Sequence, residues 1–428
     1  MNNKQRLQLL ILLLLNYFTF ALITNIPGAL FPFWKADFNL DDSTIRFLGF
    51  AFFLAYGLTS LPQGILIDKV GSKTAFIYGS ALMAIGSLAF AFFPSFLMGL
   101  FSLFTIGIGV TALQIVGNLL VKEVDEDPAK YSSNLTMSQV FCGIGGFSGP
   151  WLIALLKDKL GWDWSAVYFV AAFLGLALCV FAVFTFIPSN NSSAAQVKGE
   201  EVKKPSLSDY LSLARNPLML LFAFGIFIYV GIEVGIANWI STFLVDQHKF
   251  TVTTAGIIVS LYWALQSVGR FTGGFVLKVL DTPKALIVYS SACLGLLVFA
   301  CLIPSGNISS AAFIGIGFFT SIMFPSIFSL AVNSFDKSKE STVAGILCTA
   351  IIGGAVTQLL IGFIDQKLTH SLALSLIING VISFAYIAFI GFRSLKNNSL
   401  SIENKVNSDH SKTENHLNSN LNREEALV

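Results

Sequence analysis

Long apolar blocks alternate with short polar ones along almost the whole chain. A helix needs about 20 mostly apolar residues to cross the hydrocarbon of a bilayer. Cut at its charge and turn clusters, the chain yields twelve such segments. The first six cover residues 7–33, 45–66, 74–93, 96–120, 131–156 and 163–187. The second six cover 216–245, 253–277, 285–304, 308–333, 340–364 and 370–393. Alternating ten-residue strands, the mark of a membrane barrel, are absent from the pattern. The expected fold class is all-α and polytopic, with a six-helix bundle over 1–187 and a second over 216–393. A polar cytoplasmic linker is expected over 188–215 and a disordered Asn- and Ser-rich cytoplasmic tail over 394–428. Lys4 and Arg6 before Leu7–Leu15 imitate a secretory signal, but the apolar character runs on to Phe33 with no small-residue cleavage site. We read it as an uncleaved first span.

Composition supports the pattern. Hydrophobic residues make up 54% of the chain and charged residues only 12%, against about 25% charged in soluble domains. Too few charges remain to clothe a soluble enzyme, and a net charge of +2 gives no footing for a nucleic-acid partner. The five cysteines, Cys142, Cys179, Cys293, Cys301 and Cys348, lie in apolar stretches without paired spacing. They suit small packing residues better than a disulfide framework or a zinc site. With the N-terminus inside, 20 of the 26 Lys and Arg residues fall on the cytoplasmic side. That bias, with an even number of spans, places both termini in the cytoplasm.

The two sets of spans repeat. Ile106-Gly107-Ile108-Gly109 recurs as Ile314-Gly315-Ile316-Gly317, an offset of 208. The same offset carries Gly145-Gly146 onto Gly353-Gly354, Lys159-Leu160 onto Lys367-Leu368 and Ser133 onto Ser341. Spans 2 and 8 need a shift of two, which pairs Gly64 with Gly274. Parallel repeats of this kind imply alternating access, with the substrate held between halves near mid-membrane.

Between spans 2 and 3 stands Gly64-Ile65-Leu66-Ile67-Asp68-Lys69-Val70-Gly71-Ser72-Lys73. This G-x-x-x-D-x-x-G-x-K loop resembles the signature of the major facilitator superfamily, and the likeness extends over nearly the whole chain. It implies the major facilitator fold, twelve helices in two bundles. Gly64, Asp68, Gly71 and Lys73 are the expected conformational latch, joined by Arg270 in the degenerate loop of the second half. Asp68 suits the positive end of a facing helix, and span 11 begins on that side with Glu340-Ser341-Thr342. The plainer reading is that Asp68 only orients the loop by its charge.

Three stretches resemble the fucose permease branch, which includes glucose/galactose transporters. They are Tyr229–Ile240 in span 7, Ala112–Asn118 in span 4 and Ser133–Gln139 in span 5. The resemblance implies import of a monosaccharide coupled to a cation, usually a proton. It also implies acidic residues in spans 1 and 4. The positions that correspond here are Asn25 and Gln114, both neutral amides, so the branch's mechanism does not transfer directly.

Glu233 is the one carboxylate near the middle of a span. A charge there costs about 2.5–3.5 kcal/mol on insertion scales, which makes it a functional candidate by default. It can exchange a proton, share in holding sodium, accept hydrogen bonds from a sugar, or merely fix span 7 against its neighbours. One positive charge entering with a solute gains about 2.3 kcal/mol per 100 mV, roughly fiftyfold in accumulation. A sugar site needs paired amides and hydroxyls plus an aromatic face. The candidates are Asn25, Gln114, Asn118, Asn134, Gln139, Asn238 and Gln266, with Trp239 and Trp263 as stacking rings. Any one of the amides can instead serve as glue between helices. Trp34, Trp151, Trp162 and Trp164 lie near span ends, where membrane-interface belts explain them. No cofactor is expected.

The expected partners are a sugar, a proton or sodium ion and the lipid bilayer. The expected state is a monomer in a bacterial inner membrane. The alternatives are a facilitator-type exporter of drugs or metabolites, an uncoupled facilitator, and a membrane enzyme or sensor. The last would need a clustered nucleophile, metal set or carboxylate pair, and the sequence shows none.

Overall fold

A computed structural model describes residues 1–40, 42–125, 127, 130–156, 160–188 and 212–396. Most of the expected linker and tail, 189–211 and 397–428, lies outside the described residues. The first part of the chain forms α1 (Asn3–Asp37), α2 (Asp42–Val70), α3 (Ser72–Phe92), α4 (Phe96–Leu120), α5 (Tyr131–Ser138), α6 (Val140–Ala154) and α7 (Ala166–Phe184). The second part forms α8 (Pro217–His248), α9 (Val252–Val279), α10 (Thr282–Leu302), α11 (Gly306–Thr320), α12 (Met323–Asn333), α13 (Glu340–Thr349) and α14 (Gly353–Ile364). A last helix, α15 (Leu372–Lys396), closes the described chain.

The ends of these helices follow local chemistry. Asn2 and Gln5 make a reciprocal capping box at the start of α1. Asn216 caps α8 through the backbone of Leu218 and Met219, with Pro217 in the first turn where its missing N–H costs nothing. Asn39, Lys249 and His370 adopt left-handed backbone just beyond helix ends. Gly71, at φ 83° between α2 and α3, holds a conformation that only glycine adopts without strain.

Among the described residues, ten helical segments are long and apolar enough to cross a membrane. The two other expected spans differ for physical reasons. Span 5 breaks at Gln139 into α5 and α6. Span 8, α9, is a full 28 residues but carries Gln266, Arg270 and several hydroxyls. Span 10 breaks too, between Thr320 and Met323. Pro325 lacks the N–H that the Ser321 carbonyl needs and disfavours helical backbone at Phe324. Span 11 passes through a tight turn at Ala350–Ile352.

The repeat reappears in the packing. In the first part α1 packs on α6, α2 on α4 and α3 on α4; in the second part α8 packs on α14, α9 on α11 and α10 on α11. Gly145 of α6 lies against the Phe18 carbonyl of α1, and Gly353 of α14 against the Phe227 carbonyl of α8. A side chain at either glycine would strike that backbone. The two parts of the chain meet where α2 packs on α13 and where α9 packs on α5 and α6.

One expectation needs correction. Trp34 and Trp164 are buried, so they do not serve as interface belts. They pack with Phe90 and Tyr168, with ring centroids 4.8–6.4 Å apart. Trp164 Nε1 also donates to Asp37 Oδ2 at 2.5 Å. Trp151 and Trp162 are exposed, as a belt requires.

Candidate functional site

Glu233 is buried in the middle of α8. Tyr229, one turn earlier, and Gln266 Nε2 of α9 both donate hydrogen bonds to Glu233 Oε1. Tyr229 Oη also lies 3.0 Å from the Thr320 carbonyl, at the end of α11. Gln266 Nε2 is 3.4 Å from Thr320 Oγ1. Tyr262 donates to the Glu233 main-chain carbonyl at 3.3 Å. The Arg270 guanidinium, one turn beyond Gln266, acts electrostatically on Glu233, Tyr229 and Tyr262. Its Nε is buried without a partner among the described residues. The cluster joins spans 7, 8 and 10 around one carboxyl that has donors on one side and a cation nearby.

The first part of the chain presents a neutral set. Tyr56 donates to Gln114 Oε1 at 2.8 Å. Tyr17 donates to Asn118 Oδ1 at 2.9 Å, and Tyr131 to the Asn118 carbonyl at 2.7 Å. Asn16, buried beside Tyr17, donates to the Leu113 carbonyl at 3.2 Å. Asn16 Oδ1 and Asn118 Nδ2 are buried with no partner among the described residues. Asn25, at the repeat position of Glu233, is exposed and returns its amide N–H to the Ala21 carbonyl at 2.8 Å. Gly146 faces it across α6.

The other candidates are spread. Asn238 and Trp263 are exposed, and Trp263 meets Tyr262 edge to face at 5.2 Å. Trp239 is half-buried against Gly362. Gln139 is buried at the break in span 5, and Asn134 lies on α5, one turn from Ser138. Sequence reasoning missed the tyrosines Tyr17, Tyr56 and Tyr229 and the break at Thr320. Pro325 was the available signal for the break.

The seam between the two parts is tight at the end that holds the α2–α3 turn. Thr342 Oγ1 donates to Asp68 Oδ2 at 2.5 Å. The first-turn backbone N–H groups of Ser341 and Thr342 point at the same carboxylate. A Cβ on Gly64 would come 2.5 Å from the Ser341 carbonyl, and one on Gly345 would come 2.7 Å from the Ser60 carbonyl. On the second crossing Ser133 Oγ donates to the Gly274 carbonyl at 2.5 Å. Glu340 pairs with Lys122 at the end of span 4. Lys73 does something else: its ammonium donates to the Val183 and Thr185 carbonyls at 2.8 and 3.2 Å, closing the C-terminal end of α7.

This architecture of buried polar clusters in a bundle of apolar helices is that of a membrane carrier. Residues 13–351 match the model of the Major Facilitator Superfamily. The chain is 33% identical over 394 residues to the glucose/galactose transporter of Brucella abortus biovar 1 (strain 9-941), covering 89% of this chain and 92% of that protein. It is 24% identical over 384 residues to the L-fucose-proton symporter of Escherichia coli (strain K12), covering 82% of this chain and 85% of that one. The crystal structure of the transporter FucP in the outward conformation superposes with a TM-score of 0.78 at 22% identity, over 90% of this chain and 98% of that chain. The chain belongs to the Major Facilitator Superfamily: it is an integral membrane transporter, not an enzyme.

Proposed function

We propose that this transporter imports a monosaccharide, a hexose or deoxyhexose, by alternating access, and that co-transport of a proton drives it. The observation that carries the reading is one buried carboxyl, Glu233, in a chain whose candidate sugar-binding residues, spread over several helices, are all neutral: Asn25, Gln114, Asn118, Asn134, Gln139, Asn238 and Gln266, with Trp239 and Trp263. Neutral amides and aromatic faces suit an uncharged polyol. The names of the relatives, a glucose/galactose transporter and a fucose-proton symporter, support the same class. A drug exporter or an uncoupled facilitator has no comparable support.

The surroundings of Glu233 disfavour sodium as the coupling ion. Its Oε1 receives hydrogens from Tyr229 and Gln266, and Arg270 adds positive charge nearby. A hard cation needs several oxygen atoms turned toward it.

Alternating access in this reading moves 1–187 against 216–393. In this reading Gly64 and Asp68 are the latch at the seam, Gly71 turns the chain beside them, Lys73 braces the loop from within the first bundle, and Arg270, expected in the latch, serves the Glu233 cluster instead. The interrupted spans 5, 10 and 11 fit a substrate site at mid-membrane. The end that holds the Asp68 seam is the cytoplasmic one, both termini lie there, and the host membrane is a bacterial inner membrane crossed by a monomer. The test is uptake of labelled glucose, galactose and fucose into vesicles under an imposed pH or sodium gradient. We expect one of these sugars to accumulate with the pH gradient. Extrusion of an unrelated solute without uptake of any monosaccharide contradicts the reading, and accumulation driven by sodium alone contradicts its proton.

A further inference from the structure

Tyr229 has one O–H and two acceptors. Glu233 Oε1 lies on its own helix and the Thr320 carbonyl lies across on α11. A single hydrogen cannot serve both fully. The Thr320 carbonyl is available because span 10 stops being helical there. The next helix starts only at Met323, and no backbone donor across the break reaches that carbonyl among the described residues. Ser321 Oγ at the same break is buried with no partner among the described residues. Buried groups of this kind are costly to leave unsatisfied.

We infer that Tyr229 is a positioning residue that ties the proton state of Glu233 to the break in span 10. When Glu233 is ionised, the Tyr229 hydrogen turns to its carboxylate and leaves the Thr320 carbonyl weakly held. When Glu233 takes up a proton, the new carboxyl O–H donates to Tyr229 Oη, and the Tyr229 hydrogen turns to the Thr320 carbonyl. One proton is gained in total and Tyr229 keeps its own. The break is therefore braced in the protonated carrier and loosened in the ionised one. The other charged or titratable groups facing this pair are Arg270 and Tyr262, both on α9, with the neutral Cys293 of α10 beside Tyr262. Arg270 keeps its charge throughout, and the Tyr262 hydroxyl is already engaged with the Glu233 main chain.

The inference rests on Glu233 as the coupling carboxyl, and its test separates the two. Hydrogen exchange of the full chain in lipid nanodiscs is followed over peptides spanning Phe318–Ser326, from pH 8 to pH 5, and corrected for intrinsic exchange rates. In the native chain exchange at the break should slow at low pH by about fivefold, the factor that one hydrogen bond of ordinary net strength supplies. Tyr229→Phe should abolish that change while the pH dependence of sugar binding persists. Glu233→Gln, which keeps the size of the side chain but cannot ionise, should give constant protection at every pH. A flat native profile overturns the inference, and so does a pH response that survives in either variant. Loss of coupling is read separately: if Glu233→Gln still accumulates sugar, the coupling assignment fails instead.

Discussion

Lys122 Nζ stands 2.6 Å from Glu340 Oε1, joining the end of span 4 to the start of span 11, with the two side chains only 15% and 9% exposed. The Lys122 ammonium also lies 5.8 Å from the Tyr131 ring centre, and Tyr131 reaches the Asn118 carbonyl. The pair thus sits at one end of a polar chain that runs inward along the seam to Tyr17. Two residues on from Glu340, Thr342 holds Asp68. Removing one partner of a pair this buried costs about 3–5 kcal/mol, because the other charge is left stranded. Glu340→Gln or Lys122→Met should therefore loosen the closed seam. Cys348 reports it: the thiol is buried on α13, the helix that packs on α2 across the seam. With the other four cysteines replaced by alanine, alkylation of Cys348 should speed up at least about tenfold in either variant. The double charge swap Lys122→Glu with Glu340→Lys should restore the slow rate.

Gly64→Ala should disturb the same seam by a steric route. The added methyl meets the Ser341 carbonyl, a backbone atom that cannot swing aside. Overpacking of this kind costs about 1–3 kcal/mol. Cys348 alkylation should rise by about tenfold. Gly295→Ala, where an added methyl meets no heavy atom within 4 Å, should leave the rate unchanged.

Lys73 is expected to behave differently from its neighbours in the loop. It caps carbonyls at the C-terminal end of α7 and so works inside the first bundle. Lys73→Met should lower thermal stability by about 1–2 kcal/mol, the scale of a charged hydrogen bond with a helix terminus. Cys348 alkylation should not change. A faster rate without loss of stability would place Lys73 in the latch itself.

Much of this was legible in the sequence, because bilayer thickness sets span length and water excludes charge from the interior. The apolar blocks, the 208-residue offset and the isolation of Glu233 all follow from that. What the sequence concealed was most of the pairing at a distance. It pointed Asp68 to the start of span 11, where Thr342 donates to it, but Tyr17 and Asn118, 101 positions apart, leave no periodic trace. Lys73 sits in the signature loop beside Asp68, yet its long stem carries the ammonium to another helix. Trp34 and Trp164 looked like interface residues because they lie near span ends, but hydropathy does not tell a lipid-facing ring from one buried between helices. Pro325 was a signal of the break in span 10 that the sequence reading passed over, and only the fold shows Tyr229 opposite the Thr320 carbonyl.

The central claim is that Glu233 couples sugar movement to a proton. It is tested most directly by Glu233→Gln in vesicles loaded with the transported sugar and then placed in an imposed pH gradient. Exchange of internal for external labelled sugar should continue at a rate within about threefold of the native carrier, since a neutral amide keeps the donor and acceptor geometry of the site. Accumulation against the sugar gradient should be lost. Full accumulation by the variant would contradict the account.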